Sequence, residues 1–304
     1  MIPKGKYTKE EEEKNSLLKL KFFKLEVLDR YKGNPIYRIE EHPVSLSLSI
    51  RGECYQDPKI KDEDKIDIQS LGYAYKKKDN SKVIVTYLKY LARLSNKHQD
   101  YWASYEEKEE CKLDQDFYNQ EFMAEFTERV SIFDAFLQEL FEINKICNIQ
   151  GYPPLLKNDF RESKPQNFSW PTKPTLESYH SLIHLLDKLL SDNINRQFFE
   201  GKIKTDKRKN LDLLEEYLNK FFALLDPHPK EEMLKQFKFI RKTRGIPAHE
   251  IIDNEYNIEY FDKIKKLITE SYRSIRTLRL LLTNFPNAKK SYKAPEWLQT
   301  GKIL

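Results

Sequence analysis

The chain has 304 residues, of which 39% are hydrophobic and 33% charged, with a formal net charge of +5. That much apolar material excludes an intrinsically disordered chain, and the length suits two domains. The mild positive excess permits a nucleic-acid partner but excludes the strongly basic, histone-like class.

Cys54, Cys111 and Cys147 lie far apart. Their spacing fits no zinc site, and their odd number argues against a disulfide framework, so a reducing interior is expected. Met1 to Glu13 is charged rather than apolar, so no secretory signal is expected. No apolar run approaches the roughly eighteen residues of a spanning helix. A cytoplasmic protein without a membrane partner is the expectation.

In chain order, residues 1–16 read as a charged, solvated arm. Leu18, Leu20, Phe22, Leu25 and Val27 alternate, as do Ile36, Tyr37 and Ile39 beyond Lys32-Gly33-Asn34. Two such runs around a Gly-Asn turn predict a β-hairpin. Val44, Leu46, Leu48 and Ile50, interleaved with serines, predict a half-buried strand with its serine face outward. Ile66 to Tyr75 and Val83 to Val85 predict two more strands around a turn at Asp79-Asn80-Ser81. The region 87–110 is ambiguous, with Leu88, Leu91 and Leu94 at helical spacing.

From Asp114, or Asp116, as N-cap, a broad apolar stripe runs from Phe117 to Ile143, and Gly151-Tyr152-Pro153-Pro154 ends it. A proline-rich loop follows over 151–174. Helices are then predicted over about 175–199, 211–225, 230–244 and 256–282, followed by a tail over 283–304. The fold class expected is α+β: a β-rich domain over 1–112, then an all-α helical bundle over 113–304.

One stretch combines fixed positive charge, a group that titrates near neutral pH and a break in the backbone. It runs Phe239-Ile240-Arg241-Lys242-Thr243-Arg244-Gly245-Ile246-Pro247-Ala248-His249-Glu250. In a regular helix Arg244 and His249 would diverge by about 140° with about 7.5 Å of rise. Gly245 and Pro247 make a regular turn there unfavourable, and a kink would bring both side chains to one edge. Histidine moves protons near neutral pH, and arginine binds phosphate oxygens through paired donors. Together they suit phosphodiester cleavage without a metal. The competing structural reading has Arg244 closing one helix by its charge and His249 capping the next.

This stretch resembles the HEPN superfamily, whose members carry an Arg-x4–6-His motif between a helix and a long following helix in a four- or five-helix bundle. Ile240-Arg241 and Arg244 through Ala248-His249 carry the resemblance, which covers roughly the C-terminal 60% of the chain. Gly245 stands where active members usually have Asn, Asp or His. The resemblance implies a metal-independent endoribonuclease effector of the toxin or antiphage type, with Arg244 and His249 catalytic and Arg241 as a second phosphate ligand. It further implies a homodimer with a composite site, RNA as substrate, an antitoxin or sensor protein as partner, and no cofactor. The alternative is a non-catalytic HEPN-like module for nucleic-acid or nucleotide binding and dimerisation.

Other features favour structural roles. His180 and His184 have a metal-binding spacing on a helix, but lack the glutamate of a His-Glu-x-x-His motif. The basic runs Lys76–Lys78 and Lys202–Lys209 read as solvated loops. Tyr101, Trp102 and Tyr105 read as core aromatics rather than a base-stacking platform. Arg273, Arg276 and Arg279 read as the wet face of the last helix.

Overall fold

An antiparallel sheet dominates the first part of the chain and helices the second, so the fold is α+β. The computed structural model describes residues 5–14, 18–42, 44–125, 129–160, 164–165, 167–223, 225–245 and 254–303. The chain divides into two units, Met1–Arg129 and Val130–Leu304.

The first unit begins with α1 (Lys6–Lys14), followed by β1 (Leu20–Lys24), β2 (Tyr37–Glu41) and β3 (Ser45–Ile50). The short α2 (Gly52–Tyr55) leads to β4 (Asp67–Lys76) and β5 (Lys82–Tyr87). Then come α3 (Leu88–Ala92), α4 (Asn96–Ser104), β6 (Cys111–Leu113) and α5 (Gln115–Phe122). The sheet order is β1-β5-β4-β3-β2, and β6 pairs with the C-terminal end of β4. Neighbouring residues of β5 serve opposite faces: Ile84 joins a core with Phe23, Leu48, Ile68 and Trp102, while Val83 and Val85 join one with Ala74 and Phe117.

Three expectations change here. The predicted hairpin over 18–39 does not form: β1 pairs with β5 (Leu20↔Tyr87) and β2 with β3 (Tyr37↔Ile50). The intervening Val27, Leu28 and Tyr31 are drawn into the core instead. The charged arm holds α1, anchored by the fully buried Tyr7. Gln99 Oε1 accepts from the backbone N–H groups of Tyr7 (2.8 Å) and Thr8 (3.2 Å). The first unit also extends to Arg129 rather than ending near 112. Phe117 of α5 lies flat over Gly72 of β4, where a Cβ would sit 2.3 Å from the ring, so α5 belongs to the sheet.

Serines of β3 do not form a fully exposed face; Ser45 is buried. Asp114 caps α5 as expected, its Oδ1 accepting from Asp116 N (3.0 Å) and Phe117 N (3.3 Å).

Charge also secures α1. Glu10 accepts from Lys19 (2.6 Å) and Lys21 (2.7 Å), and Lys21 reaches Glu106 at 3.0 Å. Burial alone would raise the Glu10 carboxyl, but the hydrogen bonds and charges of the two lysines pull it down to about 2. The folded value is depressed, so the contribution is complete above the ordinary value of about 4.3 and vanishes as pH falls through about 2. Glu10→Gln should therefore lower the urea midpoint of this unit at neutral pH, with the gap to wild type closing in acid. A gap that stays constant down to the lowest pH would contradict the pairing.

The second unit contains α6 (Ile132–Gln150), α7 (Leu176–Leu189), α8 (Asn210–Phe221), α9 (His228–Arg244), α10 (Glu259–Leu282), α11 (Pro286–Ser291) and α12 (Glu296–Thr300). The apolar stripe predicted from Asp114 is thus two helices, α5 and α6, with Ser131 capping the second through Phe133 N at 3.3 Å. Gly151 ends α6 in the left-handed region at φ 78°, which spares a side chain the steric cost there. α10 packs most extensively on α6 and α9, and α7 packs on α9. The expected tail is folded: Phe285, Ala288 and Leu298 join the helical core.

Candidate functional site

Arg241 and Arg244 occupy the last turn of α9 at i and i+3, so they emerge on one face. That face meets the C-terminal end of α7, where two carboxylates receive both guanidinium groups. Arg241 Nη1 donates to Asp187 Oδ2 at 2.6 Å and to Asp192 Oδ1 at 2.7 Å. Arg244 Nη1 donates to Asp187 Oδ2 and, at 2.8 Å, to Asp192 Oδ2. Asp187 is fully buried, whereas Asp192 lies in the turn after α7 with its side chain 42% exposed. Asp187 Oδ1 has no hydrogen-bond partner among the described residues.

This is a charge-balanced cluster of two arginines and two aspartates. Burial works to raise the Asp192 carboxyl, but the hydrogen bonds from Arg241 and Arg244 outweigh it and hold the group below its ordinary value. Both arginines are thereby fixed side by side rather than sweeping through solvent, which is the arrangement a phosphate clamp needs.

The helix ends at Gly245 in right-handed backbone (φ −73°, ψ −19°), its N–H donating to Lys242 O at 3.1 Å. Residues 246–253, which include His249, lie outside the described residues. The structure thus brings together Arg241 and Arg244, and their relation to His249 rests on sequence.

A different imidazole sits near the cluster. His184 is exposed one turn before Asp187 on α7, and its pKa is lowered by partial burial and by the charges of Lys188 and Arg244. Among the described residues, no group of three His, Cys, Asp or Glu side chains is placed to hold a metal ion.

Beside the cluster a cleft of about 600 Å³ opens between the turn after α7, the start of α8 and the last turns of α9. Arg241 and Asp192 belong to both features.

Other residues singled out by sequence fall elsewhere. Trp102 is fully buried and donates to Tyr31 Oη at 3.0 Å, a core role. Lys76 pairs with Glu107 at 2.8 Å, Lys77 with Glu110, and Lys78 with Glu109 at 4.0 Å. Arg273 is exposed, but Arg279 is buried and paired with Glu139, against the expected wet face.

Sequence reasoning missed Asp187 and Asp192. Asp187 had a readable signal: it falls on the apolar stripe of α7, four residues after Ile183 and three before Leu190. A carboxylate on a buried stripe demands a partner. Asp192 gave no comparable signal.

Among the described residues, no helix is long and apolar enough to cross a membrane. No family model matches the chain, and no curated protein or solved structure matches it either.

Proposed function

We propose that this chain is a metal-independent endoribonuclease of the HEPN type, an effector of toxin or antiphage character that works as a homodimer. The ribose 2′-hydroxyl attacks the adjacent phosphorus, and His249 accepts its proton. The bond from phosphorus to the 5′-oxygen breaks, and that oxygen leaves as a hydroxyl after taking up a proton. The products are a 2′,3′-cyclic phosphate and a 5′-hydroxyl end. Arg244, with Arg241 beside it, offsets the charge that builds on the phosphate oxygens.

The observation that carries this reading is the pairing of Arg241 and Arg244 on shared carboxylates, with His249 five residues beyond Arg244 in the chain. Asp192, the exposed member, is the carboxylate a substrate phosphate would displace.

The test is cleavage of labelled single-stranded RNA by purified protein in excess chelator. Wild type should cut and leave cyclic phosphate ends. Arg244→Ala and His249→Ala should each lose about 100-fold or more. Cleavage that appears only on adding a divalent metal would refute the mechanism. A His249→Ala protein with full activity, beside an inactive His184→Ala protein, would move the proton-handling role to α7.

A second reading is a non-catalytic module that binds nucleic acid or nucleotide and dimerises. It is favoured by the neutralisation of both arginines by Asp187 and Asp192. Under it, wild type binds RNA without cutting it.

A further inference from the structure

We infer that the cleft between α7, α8 and α9 is a second phosphate subsite, which holds a backbone phosphate of single-stranded RNA next to the one on the arginine pair. The inference rests on the RNA reading above and extends it to groups outside the Arg/His motif.

Four observations converge on the cleft. First, it receives the N-terminus of α8, a helix of 12 residues whose N-cap, Lys209, makes no side-chain capping bond. The ladder starts with Leu213 N to Lys209 O at 3.1 Å, so the amides of Asn210, Leu211 and Asp212 precede the first such bond. Three amides and the positive end of the helix dipole favour an anion there.

Second, Asn210 is not free to cap them. Its Nδ2 donates to Ser191 O at 3.0 Å, and its Oδ1 accepts from Arg196 Nη1 at 3.3 Å. These bonds tie the start of α8 to the turn after α7 and fix two walls of the cleft.

Third, the wall residue Ser191 is only 3% exposed, and its hydroxyl has no hydrogen-bond partner among the described residues. An unsatisfied buried hydroxyl costs stability, and an acceptor arriving in the cleft would relieve it.

Fourth, the charges of the lining favour an anion. Lys209, Lys238, Arg241 and Lys242 face Asp192 and Asp212. Asp192 is already engaged by the arginines, and Lys238 by Glu215 at 2.7 Å. Lys209 and Lys242 are exposed and form no ion pair among the described residues, so they are available to a phosphate. The cleft shares Arg241 with the arginine cluster, so a chain whose phosphate rests on Arg244 passes directly into it.

The experiment measures binding of a short fluorescent 2′-O-methyl oligoribonucleotide, which lacks the attacking hydroxyl, to the full-length protein across a salt series. Lys209→Ala/Lys242→Ala should weaken binding about tenfold at low salt. It should also flatten the slope of log K against log salt by about 0.7 for each phosphate no longer neutralised. Lys266→Ala, an exposed lysine on α10, should leave both unchanged. Ser191→Ala should fold at least as stably as wild type yet bind the oligonucleotide more weakly.

A double variant with wild-type affinity and slope overturns the subsite. So does a cleft that takes inorganic phosphate in a lysine-dependent way while RNA affinity ignores both lysines; that result would mark a site for free phosphate. The two proposals fail separately. Lysine-dependent binding by a protein that never cuts RNA upholds the subsite and removes the nuclease. Cutting that is indifferent to both lysines does the reverse.

Discussion

Arg279→Met is expected to cost the helical unit about 3–5 kcal/mol, because it strands a carboxylate in the core. Arg279 on α10 and Glu139 on α6 are 2% and 0% exposed. The guanidinium holds both oxygens, through Nε to Oε2 and Nη2 to Oε1, the latter at 3.3 Å. Take the arginine away and Glu139 keeps its burial without its counter-charge, beside a second buried carboxylate at Glu142. Even with Arg279 present, burial raises the Glu139 carboxyl above its ordinary value, against the pull of the arginine. In the variant only the weaker, more distant charge of Arg276 opposes that rise, so its deficit should shrink as pH is lowered and the carboxyl takes up a proton. The double variant Glu139→Leu/Arg279→Met should recover most of the loss, since an apolar pair of similar size leaves no charge to solvate. Urea unfolding of the three proteins decides it. A single variant with the wild-type midpoint, or a double variant weaker than the single, would contradict the account.

The second large effect is expected at Asp187. Asp187→Ala should cost about 2–3 kcal/mol, below the usual range for a broken buried pair because its partners regain water. The side chains of Arg241 and Arg244 are 47% and 31% exposed, so the freed charges are partly hydrated at once. Asp192→Ala removes a half-exposed carboxylate from the same two arginines and should cost under about 1 kcal/mol. The contrast between the two is the measurement. Equal losses would mean that burial does not distinguish the carboxylates and that the cluster is a surface ion pair throughout.

Much of the fold was legible from period alone. The alternation from Val44 to Ile50 became β3, and the stripes of α8 to α10 appeared within a few residues of their predicted bounds, whereas the helix expected over about 175–199 stops at Leu189, the end of α7. Pairing was not legible, because Leu20 to Lys24 fits β5 as well as it fits its neighbour in sequence, and only the demands of the core choose. The end of the first unit was misplaced for a related reason: the ring of Phe117 over Gly72 joins residues far apart in the chain.

The candidate site was legible in half. Fixed charge at Arg241 and Arg244 follows from residue type and helical spacing, whereas the carboxylates that hold them come from another helix and the turn after it. The misreading of Arg279 and the oversight of Asp187 share one cause. Each is a charge on an apolar stripe, Arg279 four residues after Ile275 and Asp187 four after Ile183. Glu139, three residues after Phe136, is the third such case. Charges of opposite sign placed on buried stripes of one bundle announce a pair, and that pattern could have been read before any coordinates.

Gly245 closes α9 without using the freedom that glycine provides. Its torsions suit any residue, and among the described residues a Cβ there would meet nothing nearer than Lys242 O at 3.4 Å. Among the described residues, neither backbone nor packing at this corner makes a demand that only glycine can meet. A carboxamide or carboxylate at this position would add a polar group directly after Arg244 without backbone strain, so the chemistry beside the arginines can change while the last turn of α9 keeps its torsions.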